Sequence, residues 1–313
     1  RPRATGRGRT ALIGHALHIA PLGRTHTPSM TVRRVVVTGG NAGIGLALCK
    51  ILATDHGCHV YMGSRNKEKG LAAIASLVEA NKSIESKLEL LVVDTASDES
   101  VAAAAATLKE MLPSGETLYG LVNNAGTGFN HGTSPEEVVN VNSYGPKRMV
   151  DAFLPMLSPT EGRIVNVGSG AGPMFVKSLP PEKAKVYCEC PPDWATIEAL
   201  VKEKKSEEGF ATDKSMLGAY GFSKAILSIY TLLLASQHPN IVSSCISPGF
   251  INTAMTAGFG ASKTPEEGTI SIQHCLFEKL DGNGWYYGSD AVRSPYHFVR
   301  DPGQPAYDGK APF

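Results

Sequence analysis

A single α/β domain built on a doubly wound parallel sheet is the fold this sequence predicts. Three observations predict it. Apolar, β-branched runs alternate with helical patterns from residue 34 onward, a glycine cluster joins the first run to the first helix, and one domain accounts for almost the whole order of elements. The first run, 34–38, holds Val35, Val36 and Val37 and reads as a strand buried on both faces. Further strands are expected at 58–62, 88–93, 119–123, 162–167 and 241–247, with a short one near Trp285. Helices fill the gaps at 45–53, 67–79, 99–111 and 135–157, and an apolar one covers 219–235. Between 173 and 217 the alternation breaks. Pro180-Pro181, Pro191-Pro192 and a charged helical stretch, 193–205, mark an insertion whose helix Asp193 is placed to cap. The domain is expected over 32–290, with a basic extension at 1–31 and a polar tail at 291–313.

Composition excludes several function classes. Thirty basic side chains stand against 29 acidic ones, which leaves no electrostatic footprint for nucleic acid or an anionic membrane. Arg1, Arg3, Arg7, Arg9 and Arg24 fall in residues 1–29 with no acid among them, so the rest of the chain is mildly acidic. That leader fits either a transit-type presequence or an extension upstream of Met30. No apolar run is expected to reach the 18 or so residues of a membrane span. The six cysteines are scattered, with only Cys188 and Cys190 close together, so no zinc set is expected and a reducing compartment, the cytoplasm, fits best. A transit peptide would place the chain in an organelle instead.

The chemistry begins with two residues. Tyr220 precedes Lys224 by four positions on the apolar helix, so both share a face and the ammonium can favour the ionised phenol. A phenol tuned toward neutrality exchanges protons with a carbonyl or an alcohol oxygen. After the first strand, Thr38-Gly39-Gly40-Asn41-Ala42-Gly43-Ile44-Gly45 opens a helix, where glycines let backbone amides approach a pyrophosphate and the helix N-terminus adds partial positive charge. At the end of the second strand stands Met62-Gly63-Ser64-Arg65, without a carboxylate. An acid there would bind a ribose 2′-hydroxyl. Arg65 instead offers a planar fork to a 2′-phosphate, with Asn41 and Ser64 as further donors, so the expected cofactor is NADPH.

The glycine loop, Asn123-Asn124-Ala125-Gly126 and Tyr220-x-x-x-Lys224, in that order, resemble the short-chain dehydrogenase/reductase family over about residues 32–287. The resemblance implies a Rossmann-type fold and a catalytic tetrad in which Ser169 and Asn142 join Tyr220 and Lys224. It implies that Ser169 bonds the substrate oxygen, that Tyr220 transfers the proton, that Lys224 also holds the nicotinamide ribose, and that Asn142 anchors a water leading to solvent. Asp94 matches the adenine-binding position, Asn123 and Asn124 the turn on the adenosine side, and Pro248, Gly249 and Thr253 the segment around the nicotinamide.

The family usually separates its serine and tyrosine by little more than a dozen residues, whereas Ser169 and Tyr220 are 51 positions apart. That gap, the glycine loop and Thr264-Pro265-Glu266-Glu267-Gly268 look like the carbonyl reductase subgroup, which implies a monomer acting on aldehydes, ketones or quinones. Ala42 and the tail depart from that subgroup. Two other functions fit the same residues: a steroid, retinoid or other lipid alcohol dehydrogenase, and a protein that binds NADPH without turnover.

Overall fold

The computed structural model describes residues 32–128 and 132–310. The extension 1–31 and Phe129, expected near the pocket, lie outside the described residues.

Eight strands form one sheet in the order β3-β2-β1-β4-β5-β6-β7-β8. They are β1 (Arg34–Val37), β2 (His59–Ser64), β3 (Leu88–Val92), β4 (Gly120–Asn123), β5 (Arg163–Val167), β6 (Val242–Ile246), β7 (Trp285–Tyr287) and β8 (Arg293–Ser294). All neighbours are parallel except β7 and β8. Parallel strands need crossovers, so helices cover both faces and the strands read as continuous apolar runs. In β1, Val36 faces the core under α3 (Asp98–Met111) and α5 (Gly145–Phe153), while Val35 and Val37 face the core under α1 (Gly43–Thr54) and α2 (Lys67–Ala80). The chain leaves β1 toward β2 on one side and returns to its other side with β4. This reversal opens a crevice at the strands' C-terminal ends.

The helix expected at 135–157 is three pieces. α4 (Pro135–Val139) runs into α5 through a π-helical turn, Asn140–Tyr144. The insertion holds more helix than its charged stretch announced: α6 (Ala171–Lys177), α7 (Pro181–Val186) and α8 (Trp194–Ser206). Asp193 caps α8 as expected, accepting from the Thr196 N–H at 2.8 Å. α9 (Gly221–Gln237) follows a kinked turn, Met216–Tyr220, in which Gly218 leaves helical geometry. Backbones meet closely here, since a Cβ on Gly172 would lie 3.1 Å from the Lys224 carbonyl carbon and one on Gly221 would lie 3.0 Å from the Ala171 carbonyl oxygen. The expectation about apolar runs needs correcting, because Met216–Gln237 is 22 residues long and apolar enough to cross a membrane. It lies instead inside the domain as a core helix, with 83% of its most apolar 18-residue window buried.

α10 (Ile270–Phe277) completes the helices. Residues 291–310, read from sequence as a polar tail, return to the sheet edge. β8 pairs with β7, Tyr296 is buried, and the Tyr307 N–H donates to the Arg293 carbonyl at 2.9 Å. Arg300 makes the difference. Its side chain is 4% exposed, and its guanidinium pairs with Asp290 and donates to the Ser294 hydroxyl at 3.0 Å and the Gln304 carbonyl at 2.6 Å. Polar composition thus conceals a packed segment whose buried charge is satisfied within it. Removing one partner of such a pair strands the other, so Arg300→Ala should cost about 3–5 kcal/mol in urea unfolding. Lys147→Ala, which breaks the more exposed pair with Asp151, should cost within about 1 kcal/mol.

Candidate active site

The crevice is floored by the glycine loop. Gly39 and Gly43 have φ of +64° and +53°, values that side chains rarely adopt. A Cβ on Gly45 would lie 2.3 Å from the Gly39 carbonyl oxygen and 2.5 Å from Asn124 Nδ2, so only glycine allows α1 to start so close to β1. Asn41 and Ile44 are partly exposed in this loop. The N-terminus of α1 has no side-chain cap and no acid in its first turn, which leaves its amides facing an anion site. A backbone cradle and an uncapped helix end suit the pyrophosphate of a dinucleotide.

Neighbouring residues hold the cradle rather than reaching from it. Thr38 Oγ1 accepts from the backbone N–H groups of Asn124 and Ala125 at 3.0 and 2.9 Å, and Asn124 Nδ2 donates to the Thr38 carbonyl at 2.8 Å. Asn124 is therefore a clamp between β4 and the loop. Asn123 is buried and donates to Asn166 Oδ1 at 2.9 Å, inside the core and away from the crevice. Ser64 corrects a further expectation. Its hydroxyl is buried and donates to the Asn66 carbonyl at 2.8 Å, whereas Arg65, next to it at the end of β2, is exposed. Asp94 is half-buried just past β3 and accepts from the Ala96 N–H at 3.0 Å. Pro248, Gly249 and Thr253, after β6, are partly exposed, and Thr253 Cγ2 would lie 3.2 Å from a Cβ on Gly43. The loop after β6 thus closes against the glycine loop.

The four tetrad positions converge at the ends of β4 and β5. Lys224 is 5% exposed and donates to the Val167 carbonyl at 2.9 Å, with its ammonium 5.9 Å from the Tyr220 ring centroid. Ser169, two residues past Val167, stands beside the Tyr220 phenol. Asn142 is wholly buried. Its Oδ1 accepts from the Thr127 N–H at 2.8 Å, and its Nδ2 donates to the Thr127 carbonyl and to Ser223 Oγ at 2.9 and 3.1 Å. With both amide hydrogens spent, the Asn142 side chain ties the 124–128 segment to α9. A Cβ on Gly126 would lie 3.2 Å from Asn142 Oδ1 and 3.5 Å from Lys224 Nζ, so glycine keeps that space clear.

Electrostatics revise the sequence expectation. Burial pushes the Tyr220 phenol up, and the neighbouring Ser169 only partly offsets this. Lys224 does not depress it. Burial lowers Lys224 itself to about 8, because desolvation penalises the charged amine. The phenol therefore keeps its proton at neutral pH, which is the form a proton donor needs. Thr38, Ser223 and the Val167 carbonyl complete the site without having been singled out from sequence. Thr38 could have been, since it borders the glycine loop. A backbone carbonyl 57 positions from Lys224 carries no sequence signal.

The lysine has a consequence for stability. Below about pH 8 it is charged in both the folded and unfolded chain, so the burial penalty is felt in full. Between about 8 and its ordinary value of 10.5 the folded chain sheds the proton first, so the unfolded chain binds more protons and stability rises with pH. Lys224→Met should therefore exceed the wild type in stability at pH 7. Urea titrations should show that gap shrinking by up to roughly 3 kcal/mol across the window.

Comparison with known proteins agrees with this geometry. A family model described as short chain dehydrogenase matches residues 33–181. The (+)-neomenthol dehydrogenase of Arabidopsis thaliana is 31% identical over 282 residues, covering 79% of this chain and 92% of the relative. Salutaridine reductase from Papaver somniferum superposes with a TM-score of 0.69 at 24% identity, over 82% of this chain and 99% of that one. The NADPH-bound carbonyl reductase from chicken fatty liver superposes with a TM-score of 0.62 at 24% identity, over 84% and 99%. The two structures share the fold, and the Arabidopsis relative aligns across nearly its full length. The chain belongs to the short-chain dehydrogenase/reductase family of oxidoreductases.

Proposed function

We propose that the protein is an NADPH-dependent reductase of aldehydes, ketones or quinones, with Tyr220 as proton donor. The observation that carries this reading is a protonated phenol next to Ser169, in the same crevice as the glycine cradle and beside the buried Lys224. Gly39, Asn41, Gly43, Ile44 and Gly45 would hold the pyrophosphate side of the cofactor, Arg65 its 2′-phosphate, and Lys224 with Pro248, Gly249 and Thr253 its nicotinamide end. The bound cofactor supplies a hydride to the carbonyl carbon. Ser169 donates a hydrogen bond to the carbonyl oxygen and stabilises the negative charge that grows there. Tyr220 then gives that oxygen its proton. Lys224 holds the start of α9, and with it Tyr220, against the end of β5 through the Val167 carbonyl.

The dehydrogenase name of the Arabidopsis relative favours the reverse direction, alcohol oxidation, on the same residues. The proton retained on Tyr220 favours reduction. The insertion supports a monomeric state. Trp194, at the start of α8, packs edge-on against Tyr144 at 5.7 Å and Tyr230 at 5.2 Å, so α8 covers the outer face of α5 and α9. All six cysteines are free, in keeping with a reducing, cytoplasmic setting.

A panel of carbonyl compounds assayed with NADPH and NADH side by side tests the reading, and equal catalytic efficiency with the two cofactors would refute the NADPH assignment. Tyr220→Phe should lower kcat by about 10²- to 10⁴-fold while the Kd for NADPH stays near that of the wild type. Arg65→Glu should raise KM for NADPH by roughly 10- to 100-fold relative to NADH, since it replaces a charge-assisted contact with a repulsive one.

A further inference from the structure

We propose that Ser223 is a positioning residue for the proton transfer: its hydroxyl ties Asn142 to the Tyr220 carbonyl and so sets how far the Tyr220 phenol reaches toward the substrate oxygen. The proposal rests on the reductase reading and deepens it. Two π-helical turns meet at this serine. Asn142 stands in the first, Asn140–Tyr144, and Tyr220 ends the second, Met216–Tyr220, in which Gly218 departs from helical geometry. A π-turn widens a helix locally and re-aims the residues that follow it, so its direction is set by what it is tied to. Ser223, in the first turn of α9, is wholly buried and supplies that tie. Its Oγ accepts from Asn142 Nδ2 at 3.1 Å and donates to the Tyr220 carbonyl at 2.7 Å, while its own carbonyl accepts from Ser143 Oγ at 3.2 Å. The single hydroxyl proton is committed to Tyr220, and a lone pair to Asn142.

The bond to the Tyr220 carbonyl is the one that reaches the chemistry. It fixes the peptide plane between Tyr220 and Gly221, and with it the direction in which the Tyr220 side chain leaves the backbone. The bond from Asn142 anchors that plane outside α9. Asn142 Oδ1 accepts from the Thr127 N–H at 2.8 Å and its Nδ2 donates to the Thr127 carbonyl at 2.9 Å, in the segment whose Asn124 and Ala125 N–H groups bond Thr38 Oγ1 beside the glycine loop. The proton donor and the glycine cradle are therefore held through one connected segment, and Ser223 is the link on the Tyr220 side. Thr231 provides a contrast on the same helix. It is also wholly buried, and its Oγ1 accepts from Asn166 Nδ2 at 2.9 Å and donates to the Leu227 carbonyl at 2.8 Å. There the same pattern of bonds ends on a core leucine and serves packing alone. Loss of either hydroxyl strands a buried amide, but only at Ser223 does the freed carbonyl belong to a reacting residue, where a shift of about 1 Å can cost about 10²-fold in rate.

Ser223→Ala and Thr231→Ala, compared in the full chain with saturating NADPH and a carbonyl compound that the wild type reduces, test this. Both should lower Tm, since each leaves a buried asparagine amide without its partner. Ser223→Ala should also lower kcat by about tenfold or more while the Kd for NADPH stays near that of the wild type, and Thr231→Ala should leave kcat unchanged. A wild-type kcat in Ser223→Ala, an equal fall in both variants, or a loss of kcat/KM carried by KM alone overturns the proposal. Ser223→Cys replaces the alanine variant if that does not fold, and should lower kcat in the same direction because a thiol is a weak donor. A wild-type kcat in Ser223→Cys overturns the proposal equally. If the wild type reduces no carbonyl compound, hydrogen exchange at the Thr127 amide, which Asn142 holds, decides. Faster exchange in Ser223→Ala than in Thr231→Ala upholds the tie and refutes only the reductase reading; equal exchange in the two refutes the tie.

Discussion

The burial of Lys224 is the constraint on which the site depends. An ammonium at 5% exposure needs a partner, and the Val167 carbonyl at the end of β5 is the one it has. That bond fixes the start of α9 against the end of β5, which places Tyr220 within reach of Ser169. It also requires α6 to lie against α9 with almost no side chain between them, which Gly172 and Gly221 permit. The polar chain from Lys224 through Val167 and from Asn142 through Ser223 thus determines where the reacting groups stand, more than any contact the reacting groups make themselves.

A second close approach fixes the other half of the crevice. Thr38, Asn124 and the glycines bring β4 and the first helix together at the point where the strand order reverses. Each glycine replaces a side chain that would collide with backbone, so the cradle's shape is set by contacts that exist only once β1 and β4 are paired. The site lies at a joint between two halves of one sheet. The glycine cradle belongs to the first half and the cluster of Ser169, Tyr220 and Lys224 to the second.

Segments that look peripheral in sequence enclose the catalytic end. The insertion supplies α6 against α9 and Trp194 between Tyr144 and Tyr230. The C-terminal strap, anchored by Arg300 and Asp290, brings Val299 to Gly170. Both are rich in charge and proline, and both contribute buried residues to the core.

Periodicity, the glycine loop and the spacing of Tyr220 and Lys224 by themselves determined the α/β class, the strand sequence through β7 and the tyrosine–lysine pair, while Ser169 and Asn142 followed only from the family resemblance that those motifs carry. These are local patterns, set by how side chains alternate on a strand or recur on a helix. Tertiary structure alone decided what those residues do. Ser64 and Asn123 turned inward because their hydrogen-bond partners, Asn66 and Asn166, lie there. Asn142 became a tie to Thr127, and Tyr220 kept its proton because burial disfavours the charged phenolate. The polar tail became a packed edge of the sheet because Arg300 found its acid in Asp290. Desolvation, hydrogen-bond pairing and close backbone approach depend on what folding brings together from distant parts of the chain, and no window of sequence contains them.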